Sequence, residues 1–253
     1  MLLKGKTALI AGAGRNNGRA IAIAYAREGA ELILVSRKRK EELDEVVKEC
    51  ESLGAQVLPV LADCSKPEDV DHFVQQGLDR FGKIDISVSV AGIRRHKDFW
   101  TISYEEWLEV FAVNLHSTFL LAKAIAPSMM KQKSGSFIAL GGLASMTAQP
   151  QRAHVVASKT GLYGLIKSLA FELGPYNVRA NLIALSLIVN KRLNPEWYPE
   201  GNGDPRTRAE IESTPLRREG TREEVANVAL FLGSDMSSYV TGDRVICAGG
   251  KYM

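Results

Sequence analysis

The sequence predicts an α/β protein, a doubly wound parallel sheet in a single domain, and three observations lead there. First, Lys6 to Arg37 reads as strand, glycine turn, helix and strand, a βαβ unit of about 30 residues whose crossover is almost always right-handed. Second, apolar strand-like runs alternate with helical segments to the end of the chain, the pattern of a parallel sheet covered on both faces. Third, no linker, repeat or low-complexity segment divides residues 1–253.

The elements follow in order. Thr7 to Ala11 is an apolar strand leading into glycines 12, 14 and 18; a small-residue helix, Ala20 to Arg27, and a second strand, Leu32 to Val35, follow. Glu41 to Leu53 has amphipathic helical spacing and Gln56 to Leu61 reads as a strand. Pro67 to Phe81 is a helix with Ser65 as its expected N-cap, and Ile84 to Val90 is a buried strand. Ser103 to Met130 forms a long helix with Ser103 and Glu106 at capping-box spacing. Ser136 to Leu140 is a strand, Arg152 to Leu173 a helix ended by Gly174-Pro175, and Asn177 to Leu185 a further strand. Arg222 to Leu232 is helical and Arg244 to Cys247 closes the sheet. Residues 190–218, rich in Pro, Gly and charge, interrupt the alternation after a strand's carboxyl end. Long loops there are commonly functional, and a substrate lid is the expectation over an ordinary surface excursion.

Composition narrows the function. A hydrophobic content of 45% and a charged content of 24% are those of a globular protein. A net charge of +3 gives no basic face for nucleic acid. Cys50, Cys64 and Cys247 are too few and too scattered for a disulfide framework or a metal site. The N-terminus enters the first strand without a signal-peptide pattern, and no apolar run reaches the length of a membrane span. A cytoplasmic location is expected.

The glycine turn carries the first chemistry. A strand–glycine–helix junction brings backbone N–H groups and a helix N-terminus up to a pyrophosphate, although such turns also serve plain connections. In dinucleotide folds the residue ending the second strand selects the cofactor, an acid taking a ribose 2′-hydroxyl and arginine a 2′-phosphate. Here that place reads Ser36-Arg37-Lys38-Arg39, and Arg15 sits within the glycine turn. Two guanidinium groups suit a phosphate dianion, so NADP is expected over NAD; the plainer reading is a solvated charge run.

The chain resembles the short-chain dehydrogenase/reductase family over nearly its whole length, from the glycine turn to the closing TPLRREGTREEVANVALFLGSDMSSYVTGDRVICAGG. The resemblance implies a seven-stranded Rossmann sheet, a small-molecule substrate, and usually a homotetramer built on the long helix from Ser103 and the helix carrying Lys159. Asp63, in LADCS, matches the family's adenine-binding Asp; Asn114 matches its active-site Asn; Lys159 matches its catalytic Lys. Gly12, Asn16 and Gly18 occupy the three glycine positions of the family turn, and Asn tolerates left-handed backbone. Ser89-Val90-Ala91-Gly92 replaces Asn-Asn-Ala-Gly, keeping the close backbone approach at Gly92. Leu185-Ser186 replaces the Pro-Gly after the sixth strand, and Ile188 just beyond is a cofactor-contact position.

The catalytic pair departs most. Family members carry Tyr four residues before the Lys and Ser thirteen before that Tyr; here the positions are Val155 and Gly142. A placed acid or base contributes about 10²–10⁴ in rate, and valine supplies none of it. His154, Tyr163 and the Arg94-Arg95-His96 cluster are the candidate replacement donors, each with a plainer reading as a core, interface or solvated residue. A related variant with Tyr seven residues before the Lys is excluded, since that residue is Arg152. Three functions stay open: an NADP-dependent oxidoreductase with a relocated proton donor, a non-catalytic NADP(H)-binding sensor or partner subunit, and a non-redox enzyme reusing the pocket.

Overall fold

A computed structural model describes residues 1–190 and 208–252. Seven parallel strands, β1 (Thr7–Ala11), β2 (Glu31–Ser36), β3 (Val57–Leu61), β4 (Ile86–Ser89), β5 (Gly135–Leu140), β6 (Val178–Leu185) and β7 (Arg244–Cys247), form one sheet in the order β3-β2-β1-β4-β5-β6-β7. The order reverses between β1 and β4, which pair in parallel from Ala8 with Ile86 to Ala11 with Ser89. Such a reversal opens a crevice at the carboxyl ends of the strands. Every residue of β1 is buried, as expected for a strand covered on both faces. Pro59 is accommodated because β3 pairs with β2 alone, leaving one edge that needs no N–H.

The helices are α1 (Asn16–Arg27), α2 (Lys40–Ser52), α3 (Pro67–Phe81), α4 (Tyr104–Phe111), α5 (Ser117–Gln132), α6 (Ala144–Thr147), α7 (Ala153–Leu173), α8 (Arg208–Glu212) and α9 (Arg222–Gly233). They divide the core into two layers. Ile21, Tyr25, Leu43, Val225 and Leu232 cover one face of the sheet; Phe73, Leu121, Ile125, Leu162 and Ile166 cover the other. The Tyr25 hydroxyl, fully buried, donates to the Ala229 carbonyl at 2.7 Å and fastens α1 to α9.

Two of the expected local features differ from the sequence reading. The helix expected to run unbroken from Ser103 is α4 and α5 joined by a π turn, Ala112–His116. The combined Tyr104–Gln132 helix has the length and apolarity of a membrane span, yet Leu121, Ala122, Ile125 and Met129 pack onto the sheet. Ser65 is not the cap of α3: Lys66 holds that position without a side-chain bond, and the Ser65 hydroxyl turns back to Asp63 Oδ1 at 2.7 Å. The capping box at Ser103 and Glu106 forms as spaced, and Thr221 and Glu224 make a second one on α9. Of the lid expected over 190–218, residues 191–207 lie outside the described residues, and α8 follows them.

Candidate active site

The glycine turn is fixed by close approaches. Gly12 has φ +96°, and a Cβ there would stand 3.0 Å from the Ala91 backbone nitrogen. A Cβ on Gly18 would collide with the Gly12 carbonyl oxygen, so no other residue fits either position without moving backbone. Asn16 takes φ +49°, the left-handed conformation that asparagine tolerates better than most residues. Arg15 is the N-cap of α1 in extended conformation, makes no side-chain cap bond, and no acid occupies the helix's first turn. The positive end of α1 is therefore left to an anion. This turn fits a pyrophosphate.

The far end of the crevice is lined by the ends of β2 and β3. Arg37 Nη1 lies 3.8 Å from Asp63 Oδ2. Asp63 Oδ1 accepts from the Ser65 amide at 3.0 Å and from its hydroxyl at 2.7 Å. Burial alone raises the Asp63 carboxyl, but these bonds and the Arg37 charge outweigh it and hold the group below its ordinary value. Arg39, by contrast, is engaged by Glu42 at 3.1 Å. Ser36, where an acid would mark a ribose diol, sits against Gly14 with its hydroxyl 3.2 Å from a Cβ placed there.

The middle of the crevice gathers Gly92, Asn114 and Lys159. The π turn carries Asn114 inward, where it is 1% exposed; such one-residue insertions in helices often mark functional positions. Its Oδ1 accepts from the Ile93 amide at 2.8 Å, while Nδ2 donates to the Ile93 carbonyl at 3.0 Å and to Ser158 Oγ at 3.1 Å. The side chain thus locks the segment leaving β4 against α7. Lys159 Nζ donates to the Leu140 carbonyl at 2.7 Å. A Cβ on Gly92 would lie 3.4 Å from both Lys159 Nζ and Asn114 Oδ1, so the glycine is what leaves the amine open to the crevice. Burial pushes the Lys159 amine down to about 8.

A family model described as enoyl-(acyl carrier protein) reductase matches residues 12–251. A 3-oxoacyl-[acyl-carrier-protein] reductase from Thermotoga maritima is 35% identical over 250 residues, 99% of each chain. An L-rhamnose 1-dehydrogenase (NAD(P)(+)) from Sphingomonas sp. is 32% identical, the match covering 100% of this chain and 98% of that one. The chain belongs to the short-chain dehydrogenase/reductase family. Its fold agrees with the crystal structure of levodione reductase at a TM-score of 0.92 and 30% identity, covering 98% of each chain. Members of the family bind a nicotinamide cofactor, and the named relatives are reductases and dehydrogenases.

The floor of the site is apolar at one point and open at another. Val155 is 6% exposed and packs with Ile93, Val110 and Val113, an apolar plug one helical turn before Lys159. At Gly142 a Cβ would meet nothing within 4 Å. Four of the candidate replacement donors are engaged or buried elsewhere. Tyr163 points away, its hydroxyl 3.4 Å from the Gly242 carbonyl and its ring under the Arg244 guanidinium at 3.9 Å. Arg95 is held by Glu109 at 2.5 Å, and His96 Nε2 accepts from Arg152 Nε at 3.0 Å. His154 is 1% exposed with neither ring nitrogen hydrogen-bonded; burial first, then Arg95 and Lys97 against the opposing pull of Glu106, lower its pKa from the ordinary value. Ile188 lies in the core, 4% exposed, with its backbone bridged to Gly220.

Two features gave no sequence signal. The Leu140 carbonyl, partner of Lys159, is backbone and invisible to motif reading. The loops walling the crevice are tied together, Gln151 Nε2 to Asp98 Oδ1 at 3.0 Å and the Lys97 amide to the Gln151 carbonyl at 2.8 Å. Both Ala148 and Gln151 take positive φ there, conformations that cost non-glycine residues free energy and collect at functional sites.

Proposed function

We propose that this chain is a cytoplasmic NADP(H)-dependent oxidoreductase acting on the carbonyl or alcohol group of a small molecule, with a proton donor other than the family's phenol. The observation that carries the reading is the retained crevice floor: Lys159, Asn114 and Gly92 meet beside an intact glycine turn. A bound nicotinamide supplies or accepts the hydride. Gly12, Asn16, Gly18 and the α1 N-terminus hold the pyrophosphate; Asp63 and Gly92 border the adenosine; Lys159 reaches the ribose beside the nicotinamide, and Ile188 supports that end from the core. The NADP preference rests on Arg15 and Arg37, with serine rather than an acid at position 36. Arg37 is half exposed with only a 3.8 Å contact to Asp63, which leaves most of its hydrogen-bonding capacity for a 2′-phosphate. A homotetramer is part of the proposal, with Phe119 on α5 and Phe171 on α7 among the exposed apolar side chains that subunit contacts would cover. Residues 190–218 are proposed as the substrate lid.

The plug at Val155 favours a second reading, a binding protein that retains NADP(H) without turnover. Oxidation of NADPH against a panel of aldehydes and ketones separates the two. Turnover with any of them supports the oxidoreductase; tight NADPH binding with no turnover across the panel leaves the binding protein.

A further inference from the structure

We infer that Lys159 itself delivers the proton in this chain, taking over from the phenol that Val155 replaces. The inference rests on the oxidoreductase reading. Tyr163 faces Gly242 and Arg244, His154 is sealed at 1% exposure, and Ser158 is fully buried between Asn114 and the Val155 carbonyl. The hydroxyl of Ser145 is spent on the Gly142 carbonyl at 2.7 Å, and serine is too weak an acid to serve alone. Lys159 is a titratable group standing at this floor, beside Gly92 and Asn114.

The geometry also frees the amine for the task. An ammonium has three N–H donors. One is engaged by the Leu140 carbonyl at 2.7 Å, which anchors the nitrogen at the end of β5 and leaves two. The amine faces the gap kept open by Gly92, and beyond it the Gly142 position is empty to 4 Å around any Cβ. A substrate carbonyl has room at position 142, where a Cβ would meet nothing within 4 Å. No carboxylate is ion-paired to Lys159 among the described residues, and burial alone brings the amine to about 8. It is then protonated at neutral pH yet acidic enough to give the proton up, the match that efficient acid catalysis needs.

The step balances simply. As hydride bonds to the carbonyl carbon, the C=O π pair moves to oxygen. One Lys159 N–H bond breaks and its proton forms the O–H bond of the alcohol. The substrate gains two electrons and the cofactor loses two. Lys159, left as a neutral amine, regains a proton from water.

Two measurements on the full-length protein test this. The first is kcat and kcat/KM against pH with NADPH and the carbonyl compounds that turn over, for wild type and Lys159→Arg. Arginine keeps the charge and the donors but does not release a proton. Wild-type kcat/KM should be level at low pH and fall as the amine of the free protein titrates near 8, with kcat falling in the same direction. Lys159→Arg should lose about 10²–10⁴ in kcat, and an NADPH titration of the same variant separates that loss from any loss of binding. The second, independent of turnover and of variant folding, is NMR titration of the lysine amines in unliganded wild type. One amine should titrate well below the ordinary lysine value of 10.5. An amine set with no low outlier, a kcat/KM that stays level through that pH range, or an active Lys159→Arg overturns the donor role while leaving the oxidoreductase standing. NADPH binding without turnover on any carbonyl overturns both.

Discussion

Placing the missing pair back tests whether the rest of the site is arranged for hydride transfer. In Gly142→Ser the new side chain enters open space, with nothing within 4 Å of its Cβ and no positive φ to resist it, so folding should be neutral to slightly favoured, by up to about 1 kcal/mol. Val155→Tyr is harder. Val155 is 6% exposed in a small cluster with Ile93, Val110 and Val113, and a phenol must leave that plug or overpack it, at about 1–3 kcal/mol. For a chain of this size that lowers Tm by about 2–10 °C, which a folded protein tolerates. Position 155 lies one helical turn before Lys159 on the same face, where the ammonium can lower the phenol's pKa. Against simple ketones, on which the wild type should be slow, the double variant should gain about 10²–10⁴ in kcat/KM, or about 3–5 kcal/mol of barrier. Each single variant should gain less, since groups that act together are not additive. The assay is NADPH oxidation beside a thermal melt and an NADPH titration. A double variant that is folded and binds NADPH like wild type but gains less than about tenfold would refute the expectation that the rest of the site is arranged for hydride transfer.

Further outcomes follow from single positions. Arg37→Ala should weaken NADPH by about 10- to 100-fold, the scale of a charge-assisted hydrogen bond, and NADH hardly at all; calorimetry showing equal losses would remove the 2′-phosphate assignment. Gly18→Ala should abolish binding of both cofactors, because its methyl collides with the Gly12 carbonyl; unchanged affinity would mean that the turn does not hold the pyrophosphate. Glu224 is held down to about 2 by Arg218, at 2.6 Å, and by the Thr221 amide. A carboxylate lowered in the folded state stabilises fully above its ordinary 4.5 and ceases to do so as pH falls through about 2. The Tm gap between wild type and Glu224→Gln should therefore shrink over that window, and a gap independent of pH would assign it to packing. Light scattering should give a tetramer; a monomer at micromolar concentration would count against the proposed interface.

Much of this protein was settled by residue order alone. Period and punctuation determined the seven strands and their alternation with helices, because strands buried on both faces read as continuous apolar runs and helices do not. The glycine turn was legible because close backbone approach admits few residue types, and even the exception, Asn16, was of the type that accepts φ +49°. That positions 142 and 155 carry no hydroxyl was visible too, since an absent hydroxyl is a statement about sequence. What surrounds them was not. Ser65 looked like a cap, yet the tertiary position of Asp63 recruited its hydroxyl. The long helix carries no sequence mark of its π turn, which follows from Asn114 having to reach the Ile93 backbone. Tyr163 and His154 both neighboured Lys159 or its vacancy along the chain, but one turns to Gly242 and the other into the interior. Whether the Lys159 amine met solvent, a carboxylate or a backbone carbonyl depended on β5 ending beside α7. Spacing along a chain fixes which residues share a face; only packing decides what that face meets, and burial by that packing is what lowers the Lys159 amine.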